Sequence, residues 1–308
     1  MTVGVADKPV IETARRSLGS GRRFTADWLA AIPFFLYVFI FLLLPTLIVA
    51  VGAFVSGTSL SLSNFGSLGQ RYVLGAFVNS VVLSALTAVV GATLGALLAY
   101  AIATGNPNGV FRRLVSSACG VLAQFGGVTL AFAFIATVGG AGFVTLWLKD
   151  HGLDIYANGV WLYQLSGLVL VYSYFQIPLM ALVFLPALDG IRPQWREATE
   201  SLGGGTWHYW RYVAGPLLAP AFLGGTLLLF ANAFSAYATA AALVNQGSII
   251  ASLLIANTLT SEVGLANPGI ASAYALVMIV IVVLVTTLYS LLQRRTSQWI
   301  TPSSRGAQ

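Results

Sequence analysis

Long apolar runs alternate with short polar segments from about residue 28 onward, and the length of those runs sets the first expectation. A helix rising 1.5 Å per residue needs about 20 apolar residues to cross a hydrocarbon layer of about 30 Å. Six runs reach that length, at roughly 28–53, 73–103, 114–138, 161–187, 216–243 and 270–292. The pattern predicts an all-α integral membrane chain with six spans. The first run is too long for the core of a cleaved signal peptide and reads as a retained span. FVTLWLKDHGLDIYANGVW, between the third and fourth runs, is too short and polar to cross, and reads as a loop with a short surface helix. Residues 246–268 are mixed in character and suggest an interfacial or re-entrant helix, with a seventh span as the alternative.

Charge then orients the spans. With both termini in the cytoplasm, the inner segments are 1–27, 104–113, 188–215 and 293–308, and they hold every Lys and Arg except Arg71 and Lys149. Such asymmetry is the positive-inside signal. It gives a tail over 1–27, a membrane domain over 28–292 with a polar inner loop at about 192–216, and a tail over 293–308. The net charge of +6 is explained by this bias, and no nucleic-acid partner is needed. Within the second run, Gly91 and Gly95 are four residues apart, the spacing at which two helices can approach closely. Pro33, Pro45, Pro178 and Pro186 should kink or end the spans they occupy.

Absences narrow the chemistry. All 9 Asp and Glu residues lie outside the six runs, so no intramembrane carboxylate marks a proton relay. The single Cys119 supports neither a disulfide framework nor a cysteine metal site and reads as a packed apolar residue; His151 and His208 fall on opposite faces, so no metal site is expected. No glycine-rich loop ends in the lysine of a phosphate cradle, because the chain holds only Lys8 and Lys149 and neither follows a glycine. The chain is not expected to be an enzyme, to hold catalytic residues or to bind a cofactor of its own. A stand-alone secondary carrier or channel stays open, as does an intramembrane enzyme.

The polar inner loop carries REATESLGGGTWHYWRYVAGP at 196–216. Pro193 suits the first turn of a helix, Gln194 to Leu202 are good helix formers, and Gly203 to Gly205 should end it. Trp195, Trp207, Tyr209 and Trp210 favour the interfacial layer, while Arg196, Glu197 and Glu200 stay in water. The stretch resembles the EAA loop of permease subunits of type I ABC importers, which runs E-A-A, three residues, G, nine residues, then I-x-L-P. Glu197-Ala198-Thr199 take the first places, Gly203 follows after three residues, and Val213-Ala214-Gly215-Pro216 after nine more. Thr199, Val213 and Gly215 depart from the pattern.

The resemblance implies a type I ABC importer permease fold. The loop would form a coupling helix seated on a cytoplasmic ATPase subunit, through Arg196, Glu197, Ala198, Thr199, Glu200, Gly203 and Pro216. It further implies two ATPase subunits that bind ATP and Mg, a second permease chain, favoured as a different one, and a periplasmic or lipid-anchored binding protein, all at the bacterial inner membrane. The S-L-G-G-G-T-W form is similar to the polyamine, ferric iron, thiamine and aminophosphonate branch, and a polyamine is the first expectation, with a sugar as the alternative. Phe234-Ser235-Ala236-Tyr237-Ala238-Thr239 is similar to a G-E-F-G-A-T segment of that branch but has Ser235 in place of the acid. Candidate pathway residues are Asn79, Gln124, Gln176, Asn232, Ser235 and Tyr237, each of which could instead be an interhelical hydrogen bonder.

Overall fold

The computed structural model describes residues 23–56, 59–106, 109–157, 159–244, 250–260 and 267–297. The expected tails therefore fall outside the described residues over 1–22 and 298–308. By contact the chain divides into two units, 1–48 and 49–308. Six helical stretches among the described residues are long and apolar enough to cross a membrane: Ala31–Gly52, Arg71–Ala103, Gly127–Asp150, Leu165–Asp189, Thr206–Ser235 and Pro268–Leu291.

The first span is built from α1 (Arg23–Val38), a π turn at Phe39–Leu43 and α2 (Leu44–Gly52). Pro45 has no N–H to offer the ladder, and the chain widens just before it, with the Leu44 N–H bonded five residues back to the Phe39 carbonyl. Thr46 Oγ1 donates to the Leu42 carbonyl at 2.7 Å. The proline thus bends the ladder without ending the span. A two-residue hairpin follows, β1 (Val55–Ser56) and β2 (Ser59–Leu60), antiparallel. Asn64, nearly fully buried, donates to the carbonyls of Ala53 and Val55 and holds the hairpin in place.

The heart of the second unit is the crossing of α3 (Arg71–Ala103) with α7 (Leu165–Asp189), the most extensive helix pair in the chain. A methyl group on Gly95 would lie 2.5 Å from the Ile177 carbonyl oxygen and the Met180 Cβ; one on Gly91 would lie 2.8 Å from the Gln176 Cβ. The glycine pair lets the backbones meet, as its spacing predicts. Gln176 Nε2 donates to Thr87 Oγ1 at 3.0 Å across the crossing. Such interhelical bonds contribute about 0.6 kcal/mol on average in a bilayer. α10 (Gly215–Ser235), which packs on both α3 and α7, brings Gly225 to a place where a methyl would lie 2.6 Å from Met180 Sδ. Met180, fully buried, is wedged between two glycines of two neighbouring helices. Pro178 and Pro186 lie inside α7 and do not end it, so of the two expected effects, a kink or an end, the end does not occur; neighbouring helices allow a span to continue through proline.

Two expected spans are broken. The third is not one helix over 114–138 but α4 (Val110–Gln124) and α5 (Gly127–Val138), parted at Phe125–Gly126. The fifth begins earlier than 216, with α9 (Thr206–Tyr209) and a π turn at Trp210–Ala214, and breaks at Ala236–Tyr237 before α11 (Ala238–Leu243). The stretch read as a loop with a surface helix begins instead with α6 (Phe143–Asp150), which completes the third candidate span, Gly127–Asp150, and beyond it Tyr156 OH donates to the Val138 carbonyl at the end of α5. Burial first, and Tyr163 second, push the Tyr156 phenol up, which keeps it a donor. α12 (Ala251–Thr260) is too short to cross and packs on α3 and α13 (Pro268–Ser297), with the Ala251 N–H bonded to Ser80 Oγ at 2.7 Å. The expected interfacial or re-entrant helix in 246–268 is thus a helix over 251–260, too short for a seventh span, while 245–249 and 261–266 lie outside the described residues. Cys119 is buried against α7 and its neighbours, as expected.

Gly95→Ala should lower the thermal midpoint of the detergent-purified chain, since overpacking costs about 1–3 kcal/mol. Gly75→Ala, on the same helix with open space around it, should leave the midpoint unchanged or slightly raised. An unchanged Gly95→Ala midpoint would show that α3 and α7 do not meet this closely.

Candidate functional site

Two places on the second unit bear polar groups that the packing does not consume. The first is α8 (Pro193–Ser201), in the inner loop. Pro193 stands at its first turn, where the missing N–H is no loss. Its end is a Schellman cap: the Gly203 N–H bonds the Glu200 carbonyl at 3.0 Å, and the Gly204 N–H bonds the Thr199 carbonyl at 2.9 Å. Gly203 has φ +79°, a left-handed conformation that costs a side-chain-bearing residue about 1–2 kcal/mol. A methyl on Gly204 would lie 2.8 Å from Thr199 Cγ2, so the second glycine is required for space where the first is required for conformation.

The exposed face of α8 carries Arg196, Glu197, Ala198 and Glu200, while Trp195 and Thr199, four apart, turn inward and are half-buried. Arg196 Nε donates to Glu200 Oε1 at 3.0 Å across one helical turn, which leaves Glu197 as the carboxylate of this face with no ion pair among the described residues. Thr199 spends its hydroxyl on the Trp195 carbonyl at 2.8 Å, so its departure from alanine adds no free polar group to the surface. Leu202, just past the helix, is 89% exposed, and Trp207 is 71% exposed. Sequence reasoning missed Leu202; the signal was an apolar residue directly before three glycines. Gly215 departs from leucine for a local reason. Its N–H closes the π turn on the Trp210 carbonyl, which comes so near that a side chain at 215 would strike it. Pro216 is exposed in the first turn of α10.

The second place is where the two helix breaks meet. Gly127 has φ +71° and its N–H donates to Thr239 Oγ1 at 3.0 Å, tying the start of α5 to α11. The Ala236 carbonyl, released at the other break, accepts from Tyr172 OH at 2.9 Å and Ser252 Oγ at 3.3 Å. These bonds from α7 and α12 replace the lost helical one, which is how a bilayer protein tolerates broken backbone. Three expected pathway residues stand at these breaks and are exposed: Gln124 at the end of α4, Ser235 at the end of α10, and Tyr237 between α10 and α11. Asn232 is half-buried one turn before Ser235, whose hydroxyl bonds the Ala231 and Asn232 carbonyls. Asn79 is half-buried on α3, and Gln176 is fully buried in the α3–α7 crossing, so neither joins the exposed group. Gly127, Tyr172, Thr239 and Ser252 were not singled out as site residues. The polar groups at the breaks are hydroxyls, an amide and backbone, which can hydrogen-bond a small solute. No group of three His, Cys, Asp or Glu side chains converges among the described residues.

A family model described as "Binding-protein-dependent transport system inner membrane component" matches residues 130–298, and the chain belongs to that family. Six apolar spans and this membership make it a multi-pass inner-membrane transport component. It is 23% identical over 82% of its length to the putative ferric transport system permease protein FbpB 1 of Haemophilus influenzae, covering 39% of that protein. It is 24% identical over 70% of its length to the sulfate transport system permease protein CysW of Synechocystis, covering 73% of that protein. The chain thus spans well under half of the ferric relative. Among solved structures, a bacterial ABC transporter importing the acidic polysaccharide alginate superposes with a TM-score of 0.69 at 18% identity, over 89% of this chain and 97% of that one. At that identity the likeness establishes the fold, that of a type I ABC importer permease.

Thr239→Val removes the acceptor of the Gly127 N–H. Leaving that buried donor unpaired should cost about 1–3 kcal/mol and lower the thermal midpoint. Thr226→Val is the control, because that hydroxyl bonds only the Phe222 carbonyl of its own helix. Equal midpoints for the two variants would mean that the breaks are not tied together.

Proposed function

We propose that this chain is the membrane-spanning permease subunit of an ATP-driven importer, moved through α8 by a separate ATPase. The observation that carries the reading is the capped, outward-facing α8, with Glu197 and Leu202 exposed on a chain of that family. Arg196, Glu197, Ala198, Thr199, Glu200, Gly203 and Pro216 are its coupling residues. ATP and Mg sit on two ATPase subunits, a second and different permease chain completes the pathway, and a periplasmic or lipid-anchored binding protein delivers the solute. Both termini face the cytoplasm, by the basic bias of the inner segments. Each partner selects one conformation by contacts it makes in that state alone.

For the solute, the relatives favour a revision of the polyamine first read from the loop. Those described above carry ferric and sulfate names, and the sulfate relative is matched over most of its own length. The side chains exposed at the helix breaks, the Gln124 amide, the Ser235 hydroxyl and the Tyr237 phenol, include no carboxylate, which suits an oxyanion better than a polycation. A sulfate-like oxyanion is therefore the proposed solute, ahead of ferric ion, thiamine, spermidine and sugars. Gln124, Ser235 and Tyr237 are the proposed pathway residues; Asn79, Gln176 and Asn232 support them from within the helices.

A strain lacking the gene should lose uptake of labelled sulfate and keep that of labelled spermidine, thiamine and maltose. Loss of spermidine or thiamine uptake alone would reject the oxyanion. Gly203→Val should leave the chain inserted while ATP hydrolysis by the purified complex falls to its unstimulated level. Normal stimulation in that variant would reject α8 as the coupling element.

A further inference from the structure

Within the second unit, α3, α7, the π turn at Trp210–Ala214 and α10 leave an open apolar cleft with a volume of about 540 Å³. Its walls include Thr93, Leu97, Phe184, Leu188, Trp210 and Phe222. We propose that this cleft is a binding site for one anionic phospholipid of the inner leaflet, with its acyl chain against Leu97 and Phe222 and its headgroup near Arg211.

Depth is the first argument, and it rests on the orientation proposed above. Thr93 and Leu97 stand 10 and 6 residues before Ala103, the inner end of α3. At 1.5 Å per residue the cleft reaches about 15 Å into the membrane, which is one leaflet of a hydrocarbon core about 30 Å thick. Leu188 stands at the inner end of α7, one residue before Asp189, so the mouth lies at the inner boundary.

The mouth has the chemistry of a headgroup layer. Trp210, in the cleft wall, meets Tyr100 edge-to-face at 5.5 Å between ring centres, and both rings belong to the amphipathic types that favour the interface. Charge is the second argument. Asp189, the carboxylate nearest the mouth in sequence, is neutralised by Arg112 of α4. Arg211, next to Trp210, is exposed and has no carboxylate partner among the described residues; its guanidinium lies 5.8 Å from the Tyr212 ring centre. Arg211 does not line the cleft but directly follows the wall residue Trp210, within a side chain's reach of the mouth, and a cation so placed at a cleft of leaflet depth fits a lipid with a negative headgroup better than another apolar helix.

The test uses the full chain, with whatever subunits co-purify, in nanodiscs of dibrominated phosphatidylglycerol or dibrominated phosphatidylcholine. Subtracting the fluorescence of Trp210→Phe isolates the Trp210 signal. Quenching should reach its midpoint at an about fivefold lower mole fraction of the phosphatidylglycerol, as one basic side chain close to an anionic headgroup is expected to give. Arg211→Gln should bring the two midpoints together. No quenching by either lipid would show the cleft covered by protein, such as a second permease chain, and would overturn the proposal. Equal quenching in the wild type would reduce the cleft to ordinary lipid contact and overturn it too, as would a preference that survives Arg211→Gln. None of these readouts depends on transport, so a failure here and a failure of the importer reading are distinct results.

Discussion

Everything in the second unit is arranged around a contact of backbone with backbone: Gly95 on α3 against the Ile177 carbonyl on α7. Lipid tails are as apolar as leucine, so burying apolar surface cannot by itself hold two helices together in a bilayer. Close approach, with its dispersion contacts, must do so. Glycines at 91, 95 and 225 permit that approach among α3, α7 and α10, and Met180 lies between Gly95 and Gly225. The Thr87–Gln176 bond adds direction to what packing supplies.

A helix held so tightly over its middle can carry displacement from one end to the other. α7 runs from the neighbourhood of the helix breaks, where Tyr172 holds the Ala236 carbonyl, to Asp189, four residues before α8 begins. α8 and the helix breaks, the proposed coupling element and pathway, are thus linked by one continuous helix, and the Schellman cap at Gly203 fixes the direction in which the chain leaves α8. The breaks themselves are not loose ends. Their released backbone groups are taken up by Thr239, Tyr172 and Ser252, so exposed Gln124, Ser235 and Tyr237 project from an ordered frame.

What could be read from the sequence was what depends on local physics. Hydropathy over 20 residues located the spans, the four-residue glycine spacing marked the close crossing, and Pro193 with Gly203 bounded α8. The same local reasoning explains the misses. Apart from Gln124 and Ser235, the stretches around 125–126 and 236–237 are largely apolar, so the runs look continuous; the hydroxyls that take up the released backbone groups come from elements far away in the chain. Pro178 and Pro186 mark a kink or an end on local grounds, and α7 continues past both. The π turn before Pro45 and the one at Trp210–Ala214 were hidden for a related reason, since hydropathy cannot tell a helical turn from a widened one. As for the candidate site, the loop residues were legible and the residues that tie the breaks were not.

Replacing Glu197 with cysteine and cross-linking whole cells with a short thiol-to-amine reagent tests the central claim most directly. A handle driven from outside should yield one adduct of this chain with a nucleotide-binding subunit, stronger or weaker as ATP is supplied or depleted. If cysteine at 197 reacts freely with small thiol reagents but joins no such subunit under either condition, the chain is not worked through α8.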